Sequence, residues 1–435
     1  MTIISRLNIQ RAIKKRLGKT LKHIFARGSI IFINQFTLLI ALPILASRLD
    51  FITFGKVAIG LVIIQISWLI SHWGIHNYSI ENWQHLRNKP ERNQLITMAG
   101  VVGLVNGVIF LSIIFLITLK GWLNIPISLI VSMIPSVLIG GINPIWLFQI
   151  KKITQKLIWP TFSARMLYLL IILVFIKDNA DAYIFFLAQG LGLSIVCFYG
   201  FSIIKKKYTH KISYFKLNQF KNFYLKNIPY FINSVSNNKI NSLWGSGLSI
   251  VGGPEAMALY NLGDEIYRFG SSISNIIAQA VRINFLKNKM SNLKVVNTIF
   301  VIIYFALAIL ISSTADPLIQ HFFSSSYEGA SSIIKIMVFA WAINATVKLI
   351  NYPVLGRLYG IEWLNKITYL ILLLHIVMFA FWVMIFDSTM SFAVVFTCVN
   401  LIQLILFYFY YITYNPSNPY RDKNIIKRRN YWGEK

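Results

Sequence analysis

Long, continuously apolar stretches alternate along the chain with short polar connections. Twelve of these stretches reach about 20 residues, the length that an α-helix needs to cross the hydrocarbon core of a bilayer. Apolar residues follow one another within each stretch instead of alternating with polar ones, which predicts helices and argues against a β-barrel. The predicted spans cover residues 28–48, 54–75, 95–118, 124–148, 156–176, 182–204, 224–249, 256–280, 295–315, 330–350, 364–386 and 389–413. The pattern therefore predicts an all-α polytopic membrane protein with about 12 transmembrane helices.

The composition of the 435-residue chain agrees with this pattern. Hydrophobic residues make up 56% of it and charged residues only 13%, whereas soluble domains carry about 25% charged residues. The longest polar connection, residues 205–222, is too short to hold a soluble domain. An ordinary soluble enzyme is therefore excluded.

Basic residues are strongly in excess, with 42 Lys and Arg against 14 Asp and Glu and a net charge of +28. If the N-terminus is cytoplasmic, 34 of the 42 basic residues fall in cytoplasmic tails and loops and four fall in outer loops. This asymmetry is the positive-inside signal of a membrane protein, and it predicts that both termini face the cytoplasm. Anionic membrane lipids are therefore the expected partners of the basic surface, and nucleic acid is not.

The lysine-rich loop that starts at residue 205 divides the spans into six and six. Many transporters are built from two such halves around a binding site near the membrane midplane. The predicted organisation is a basic cytoplasmic tail at 1–27, an N-terminal six-helix bundle at 28–204, a basic cytoplasmic linker at 205–223, a C-terminal six-helix bundle at 224–413 and a basic tail at 414–435.

Lys239 lies near the middle of the seventh predicted span, in a polar segment that also contains Asn237 and Asn241. An ionisable side chain inside a membrane is costly, so it either lines a pathway or has a partner. Two interpretations stay open for Lys239. It is a cation in a central cavity that meets an anionic substrate, or it pairs with a carboxylate and fixes the packing of the helices.

The eighth span carries Asp264, Glu265 and Arg268. Helical spacing lets Asp264 reach Arg268 four residues on, and Glu265 reach it three residues on. The carboxylates are candidates for proton or sodium coupling, or part of a packed charge cluster near the outer mouth. Arg165 in the fifth span either lines the cavity or extends its long side chain to the cytoplasmic interface.

Three segments carry a resemblance to a known family. The first segment is Gly253-Pro254-Glu255-Ala256, followed by Tyr260. It resembles the G-P-E-x-x-G-x-Y signature of Wzx-type O-antigen and polysaccharide repeat-unit flippases. Asn143 to Gln149 is similar to their P-x-W-x-F-Q segment, and Pro317 to Tyr327 to their outer loop after the ninth helix. The segment from His72 to Asn77 departs from their Asp-Phe-Gly run. These flippases form the polysaccharide transporter family of the multidrug/oligosaccharidyl-lipid/polysaccharide exporter (MOP) superfamily.

The resemblance implies two six-helix bundles around a central cavity. It also implies alternating-access transport of undecaprenyl-pyrophosphate-linked O-antigen or related repeat units from the inner to the outer leaflet of the bacterial cytoplasmic membrane. In that interpretation Lys239, Arg268 and Arg165 neutralise the pyrophosphate, with Asn237 and Asn241 as further substrate contacts. A polysaccharide polymerase and a chain-length regulator are candidate partners.

Two alternatives stay open. One is an ion-coupled drug exporter of the same superfamily, and the other, less favoured because no outer loop is long, is a membrane-embedded polysaccharide polymerase. No catalytic residue, metal site or cofactor is expected, because Cys197 and Cys398 form no ligand pattern and no phosphate-binding glycine motif is found. A proton or sodium gradient is the candidate energy source.

Overall fold

The protein, seen here in a computed structural model, is described over residues 3–83, 85–86, 88–208, 212–235, 240–285, 290–351, 355, 361–385 and 388–412, and this part of the chain is helical without strands. Its helices are α1 (Ile3–Arg48), α2 (Phe51–His72), α3 (Ile75–Asn82), α4 (Lys89–Leu119), α5 (Ile127–Gly141), α6 (Ile145–Ile150), α7 (Ile158–Phe175), α8 (Ala182–Tyr208), α9 (Leu217–Ser234), α10 (Ile240–Val251), α11 (Gly253–Phe285), α12 (Met290–Phe322), α13 (Glu328–Ile350), α14 (Ile361–Ile385) and α15 (Thr389–Ile412). The predicted all-α fold is confirmed.

Ten helical segments of the described chain are long and apolar enough to cross a membrane. The two predicted spans outside this set are the seventh, which corresponds to α9 and α10, and the eighth, which corresponds to α11. Both carry predicted site residues. The seventh span is divided into α9 and the short α10, and α11 contains several charged residues. The total of 12 stays a prediction.

Several helices extend beyond the predicted spans. The first helix begins at Ile3 and includes most of the predicted tail, and the predicted linker is helical at both ends, since α8 runs to Tyr208 and α9 starts at Leu217. Lys and Arg are good helix formers, so a basic segment next to a span continues its helix into water. The fourth span is interrupted, since α5 ends at Gly141 and α6 begins at Ile145 after Pro144, whose nitrogen cannot donate to a helical hydrogen bond.

The connections after α3, α6 and α8 lie at the end of the bundle where α1 begins, and we call this end the basic side. At the opposite side, α2 approaches the start of α11 very closely. A Cβ atom at Gly55 would lie 1.9 Å from the carbonyl oxygen of Pro254. Towards the basic side, a Cβ atom at Gly28 of α1 would lie 3.1 Å from the side chain of Ile276 on α11. Small residues on α1 and α2 therefore allow both helices to pack along α11.

The interior of the C-terminal half is filled by aromatic rings. Trp244 of α10 packs at 5.1–5.9 Å between ring centroids against four rings of α14 and α15, which are His375, Phe379, Phe392 and Phe396. Its indole Nε1 donates a hydrogen bond to Nδ1 of His375 at 2.9 Å, and both side chains are buried. We call this cluster the aromatic core.

Candidate substrate-binding cavity

A cavity of about 280 Å³ lies where α1, α2, α7 and α8 of the N-terminal half meet α11 of the C-terminal half. Its lining combines apolar side chains with an unusual number of polar and charged ones. The polar members are Asn34, Gln35, Gln65, Trp68, Asn143, Thr161, Arg165, Tyr168, Gln189, Glu265 and Arg268. Polar side chains at this depth cannot face lipid without a large cost, so their convergence on a cavity accounts for their presence in the spans. We call it the polar cavity.

Arg165 reaches the polar cavity from α7. It lies seven residues after the first residue of α7, which is about 10 Å along the helix axis. Its Nε donates a hydrogen bond to Oδ1 of Asn34 on α1 at 2.6 Å, and its guanidinium carbon lies 5.5 Å from the centroid of the Tyr168 ring. Of the two interpretations left open by the sequence, the structure shows cavity lining. The hydrogen bond to α1 directs the guanidinium inwards instead of towards the interface.

Arg268 enters the polar cavity from near the middle of α11. Its Nε donates to Oδ2 of Asp264 at 2.5 Å, the pair predicted from the four-residue spacing. Asp264 is only 2% exposed, and its second carboxylate oxygen has no hydrogen-bond partner among the described residues. The ion pair therefore anchors Arg268 in the cavity lining, and its Nη2 has no hydrogen-bond partner among the described residues.

Glu265 also lines the polar cavity, and it is 1% exposed. The spacing of three residues does not produce a hydrogen bond to Arg268, because neither carboxylate oxygen of Glu265 has a hydrogen-bond partner within the described chain. Arg268 turns towards Asp264 instead, one turn earlier on its own face of the helix. A buried carboxylate without a hydrogen-bond partner is costly when it is ionised. Glu265 is therefore a candidate position for the uptake of a proton or a cation.

Three predicted substrate contacts have no described side chain. Lys239 and Asn237 lie outside the described residues, and Asn241 belongs to α10 without a described side chain. Their roles stay predictions. Of the three predicted cations, Arg165 and Arg268 are therefore the two that the structure describes, and both line the polar cavity.

Gln189 and Trp68 line the polar cavity but were not identified from the sequence as functional residues. The side-chain oxygen of Gln189 has no partner among the described residues, whereas Nε1 of Trp68 donates to the carbonyl oxygen of Ser136 at 2.9 Å. A signal for Gln189 is present, since it is a lone amide in an apolar span followed by Gly190 and Gly192. Asn34 of α1 holds Arg165 of α7 through the hydrogen bond described above.

The chemistry of this lining suits an anion with several hydrogen-bonding groups. Two guanidinium groups can contact phosphate oxygens in pairs, and the amides of Gln65 and Gln189 lie in the same lining. In the described part of the chain, no group of three or more His, Cys, Asp or Glu residues could hold a metal ion. The arrangement therefore supports binding and passage of a polar anionic molecule.

Membrane-spanning helices that enclose a polar cavity between two halves define a membrane transporter. The chain belongs to the family described as Polysaccharide biosynthesis protein (Polysacc_synt), which matches residues 20–283, more than half of its length. This match confirms the resemblance to polysaccharide transporters at the level of the family. No curated protein sequence matches the chain significantly.

Solved structures of MATE transporters share the fold. A mutant of the Vibrio cholerae MATE transporter VcmN aligns with a TM-score of 0.58 at 13% identity, covering 93% of this chain and 98% of that one. An inward-facing multidrug resistance MATE family transporter of the MOP superfamily aligns with a TM-score of 0.59 at 13% identity, covering 88% of this chain and 97% of that one. At such low identity the similarity establishes a MATE-like fold and leaves the substrate open.

Proposed function

We propose that this transporter is a flippase for lipid-linked sugar repeat units, of the undecaprenyl-pyrophosphate type that carries O-antigen or related polysaccharides. The observation that carries the proposal is that Arg165 and Arg268, from different halves of the chain, line one polar cavity together with several amides. The family match to polysaccharide biosynthesis proteins supports the same substrate class. The site of action is the cytoplasmic membrane of a bacterium, with movement from the inner to the outer leaflet.

The physical task of such a flippase is to move a charged, hydroxyl-rich headgroup past hydrocarbon. Each polar group that loses its water without a replacement hydrogen bond costs several kcal/mol, on the order of 2–7. The polar cavity supplies replacements, with Arg165 and Arg268 for the pyrophosphate and amides for sugar hydroxyls. The polyprenyl tail stays in the lipid while the two halves expose the cavity to one side and then to the other.

Charge balance assigns a role to Glu265. The charges of Arg165, Arg268, Asp264 and Glu265 sum to zero when all four residues are ionised. A pyrophosphate therefore brings in more negative charge than these four residues offset, and a contact from Lys239 offsets only one unit of it. Protonation of Glu265, or a cation beside it, removes one negative charge. Glu265 is therefore the coupling residue of the proposal, and Asp264 serves to hold Arg268. Lys239, Asn237 and Asn241 remain proposed substrate contacts, and a polymerase and a chain-length regulator remain proposed partners.

The experiment uses a bacterial strain that lacks the gene and measures lipid-linked repeat units in the two leaflets of the cytoplasmic membrane. We expect the units to build up in the inner leaflet, and the wild-type gene to restore export. Arg165→Ala and Arg268→Ala should fail to restore it, although the proteins reach the membrane. Lys177→Ala is the matched control, because this exposed lysine follows the end of α7 and is distant from the cavity lining.

The same strain separates the proposal from its alternatives. Unchanged surface polysaccharide together with altered drug susceptibility would support a drug exporter and contradict the flippase. Translocated units that are not joined into polymer would instead indicate a polymerase.

A further inference from the structure

A second cavity lies within the N-terminal half, towards the basic side. Its volume is about 290 Å³, and it is bounded by the end of α2 and the start of α3, by α4, by the turn between α5 and α6 with the first residues of α6, and by α8. Its lining is mostly apolar and includes Ile96, Gly100 and Leu104 of α4 and Phe201 of α8. The three residues of α4 are spaced by four, so they form one stripe along the helix. We call this cavity the apolar groove.

Two cations stand at the basic end of the apolar groove. Arg92 lies four residues before Ile96 and continues the stripe of α4 to its first turn. The guanidinium carbon of Arg92 and Nζ of Lys151 lie 5.5 and 4.8 Å from the ring of Trp83. Trp83 in turn packs edge-on against Trp146, with 6.3 Å between ring centroids, and Trp146 lines the groove. The two indoles thus join the cationic pair to the apolar groove.

The cationic pair is suited to an anion. Arg92 donates a hydrogen bond from its Nε to the carbonyl oxygen of Leu86 at 3.0 Å and forms no salt bridge with a described carboxylate. Lys151, which lies just beyond the fourth apolar segment, has its pKa lowered by partial burial and, to a smaller degree, by the charge of Arg92. A bound anion would relieve this repulsion.

We propose that the apolar groove and the cationic pair form a binding site for an anionic phospholipid of the leaflet on the basic side. The phosphate lies against Arg92 and Lys151, and one acyl chain lies along Ile96, Gly100 and Leu104.

The depth of the groove supports a lipid over a soluble ligand. The stripe from Ile96 to Leu104 lies about 10–22 Å along α4 from Lys89, inside a helical segment that is apolar enough to cross a membrane. A ligand there needs an anionic end outside the hydrocarbon and an apolar chain within it, and tryptophans typically stand at that boundary. Anionic lipids are also the expected neighbours of a basic cytoplasmic surface.

The site has a consequence for transport. Asn143, in the turn between α5 and α6, lines both the apolar groove and the polar cavity. A lipid in the groove therefore supports one wall of the polar cavity from behind. This role does not depend on the identity of the transported substrate.

The test is photolabelling of the purified full-length protein in detergent with phosphatidylglycerol that carries a diazirine in one acyl chain, followed by mass spectrometry of the labelled peptides. We expect label on residues 96–104 of α4. Arg92→Gln should reduce it about fivefold, the change expected from the loss of one basic contact at a membrane surface. Phosphatidylcholine with the same diazirine should label this segment at least fivefold less.

Two matched variants separate groove filling from misfolding. A Cβ atom at Gly100 would meet no other atom within 4 Å, so Gly100→Ala should keep the label whereas Gly100→Phe, which fills the groove, should lose it. Lys120→Gln serves as the control for charge, because Lys120 stands over Trp122 at the opposite end of the same helix. Equal labelling by the two lipids, or label that survives both Arg92→Gln and Gly100→Phe, would overturn the proposal. Displacement of phosphatidylglycerol by equimolar undecaprenyl phosphate would also overturn it, because the groove would then belong to the carrier lipid.

Discussion

The two halves of the chain have different interiors. Four helices of the N-terminal half surround the polar cavity of about 280 Å³. In this cavity the side-chain oxygen of Gln189 has no hydrogen-bond partner among the described residues. The C-terminal half is filled by the aromatic core, and a Cβ atom at Gly247 would come within 2.0 Å of the Phe379 ring. The polar cavity therefore keeps polar groups beside open space, whereas the aromatic core has no room for a methyl group at Gly247.

The helix α11 belongs to both environments. Glu265 and Arg268 face the polar cavity, while Gly270 packs so tightly against α13 that a Cβ atom would lie 2.4 Å from the Trp341 ring. The polar cavity is therefore asymmetric. The N-terminal half provides the space, and the C-terminal half provides one charged helix, α11, which packs tightly against α13. The following predictions test this asymmetry.

The largest effect is expected from Arg268→Ala. It leaves Asp264 buried without its partner, which costs about 3–5 kcal/mol of stability, and it removes a proposed phosphate contact. We therefore expect both lower thermal stability of the purified protein and loss of export in the complemented strain. Thermal unfolding followed by size-exclusion chromatography measures the first effect, and surface polysaccharide measures the second.

The double variant Asp264→Asn, Arg268→Gln separates these two effects. It removes both charges together, so most of the stability should return while export stays absent. Recovery of export together with stability would mean that Arg268 has only a structural role.

A glycine-to-alanine change should have opposite signs at Gly247 in the aromatic core and at Gly100 in the apolar groove. Gly247→Ala forces a methyl group into the Phe379 ring, and overpacking of this kind costs about 1–3 kcal/mol. Gly100→Ala enters open space in a helix, where alanine is favoured over glycine by about 0.5–1 kcal/mol. Thermal unfolding of both variants measures the difference. Equal shifts at the two positions would contradict the contrast in packing around them.

A tryptophan-to-phenylalanine change should separate stability from transport. Trp244→Phe removes the hydrogen bond to His375, with a cost of about 1 kcal/mol, and should leave export intact. Trp68→Phe removes a hydrogen bond of similar length to the Ser136 carbonyl, and it alters the lining of the polar cavity, so export should fall severalfold at a similar loss of stability. Parallel assays of melting temperature and export provide the comparison, and a transport defect in Trp244→Phe alone would reverse it.

The sequence predicts the fold well because long apolar runs leave the backbone no option but helices. It predicts Arg165 and Arg268 because a charge inside a span is costly wherever it points. It does not predict the hydrogen bonding of Glu265, since i,i+3 and i,i+4 partners compete for one guanidinium and only the packed structure decides between them. Gln189 was missed for a similar reason, because an amide in a span can face a cavity or another helix and the spacing alone does not distinguish the two.

The central claim is that the polar cavity admits water and prefers anions. Its direct test is the reaction of Gln189→Cys, in a chain with Cys197 and Cys398 replaced by alanine, with anionic and cationic methanethiosulfonate reagents. The reaction rates are compared with those of Lys177→Cys, which lies at an exposed position. Met337→Cys is the unreactive control, because Met337 is fully buried in the C-terminal half. Our account predicts that the anionic reagent is favoured at position 189 by about tenfold relative to position 177, and that Arg165→Gln removes this preference. No reaction at position 189, or a preference for the cationic reagent, would contradict it.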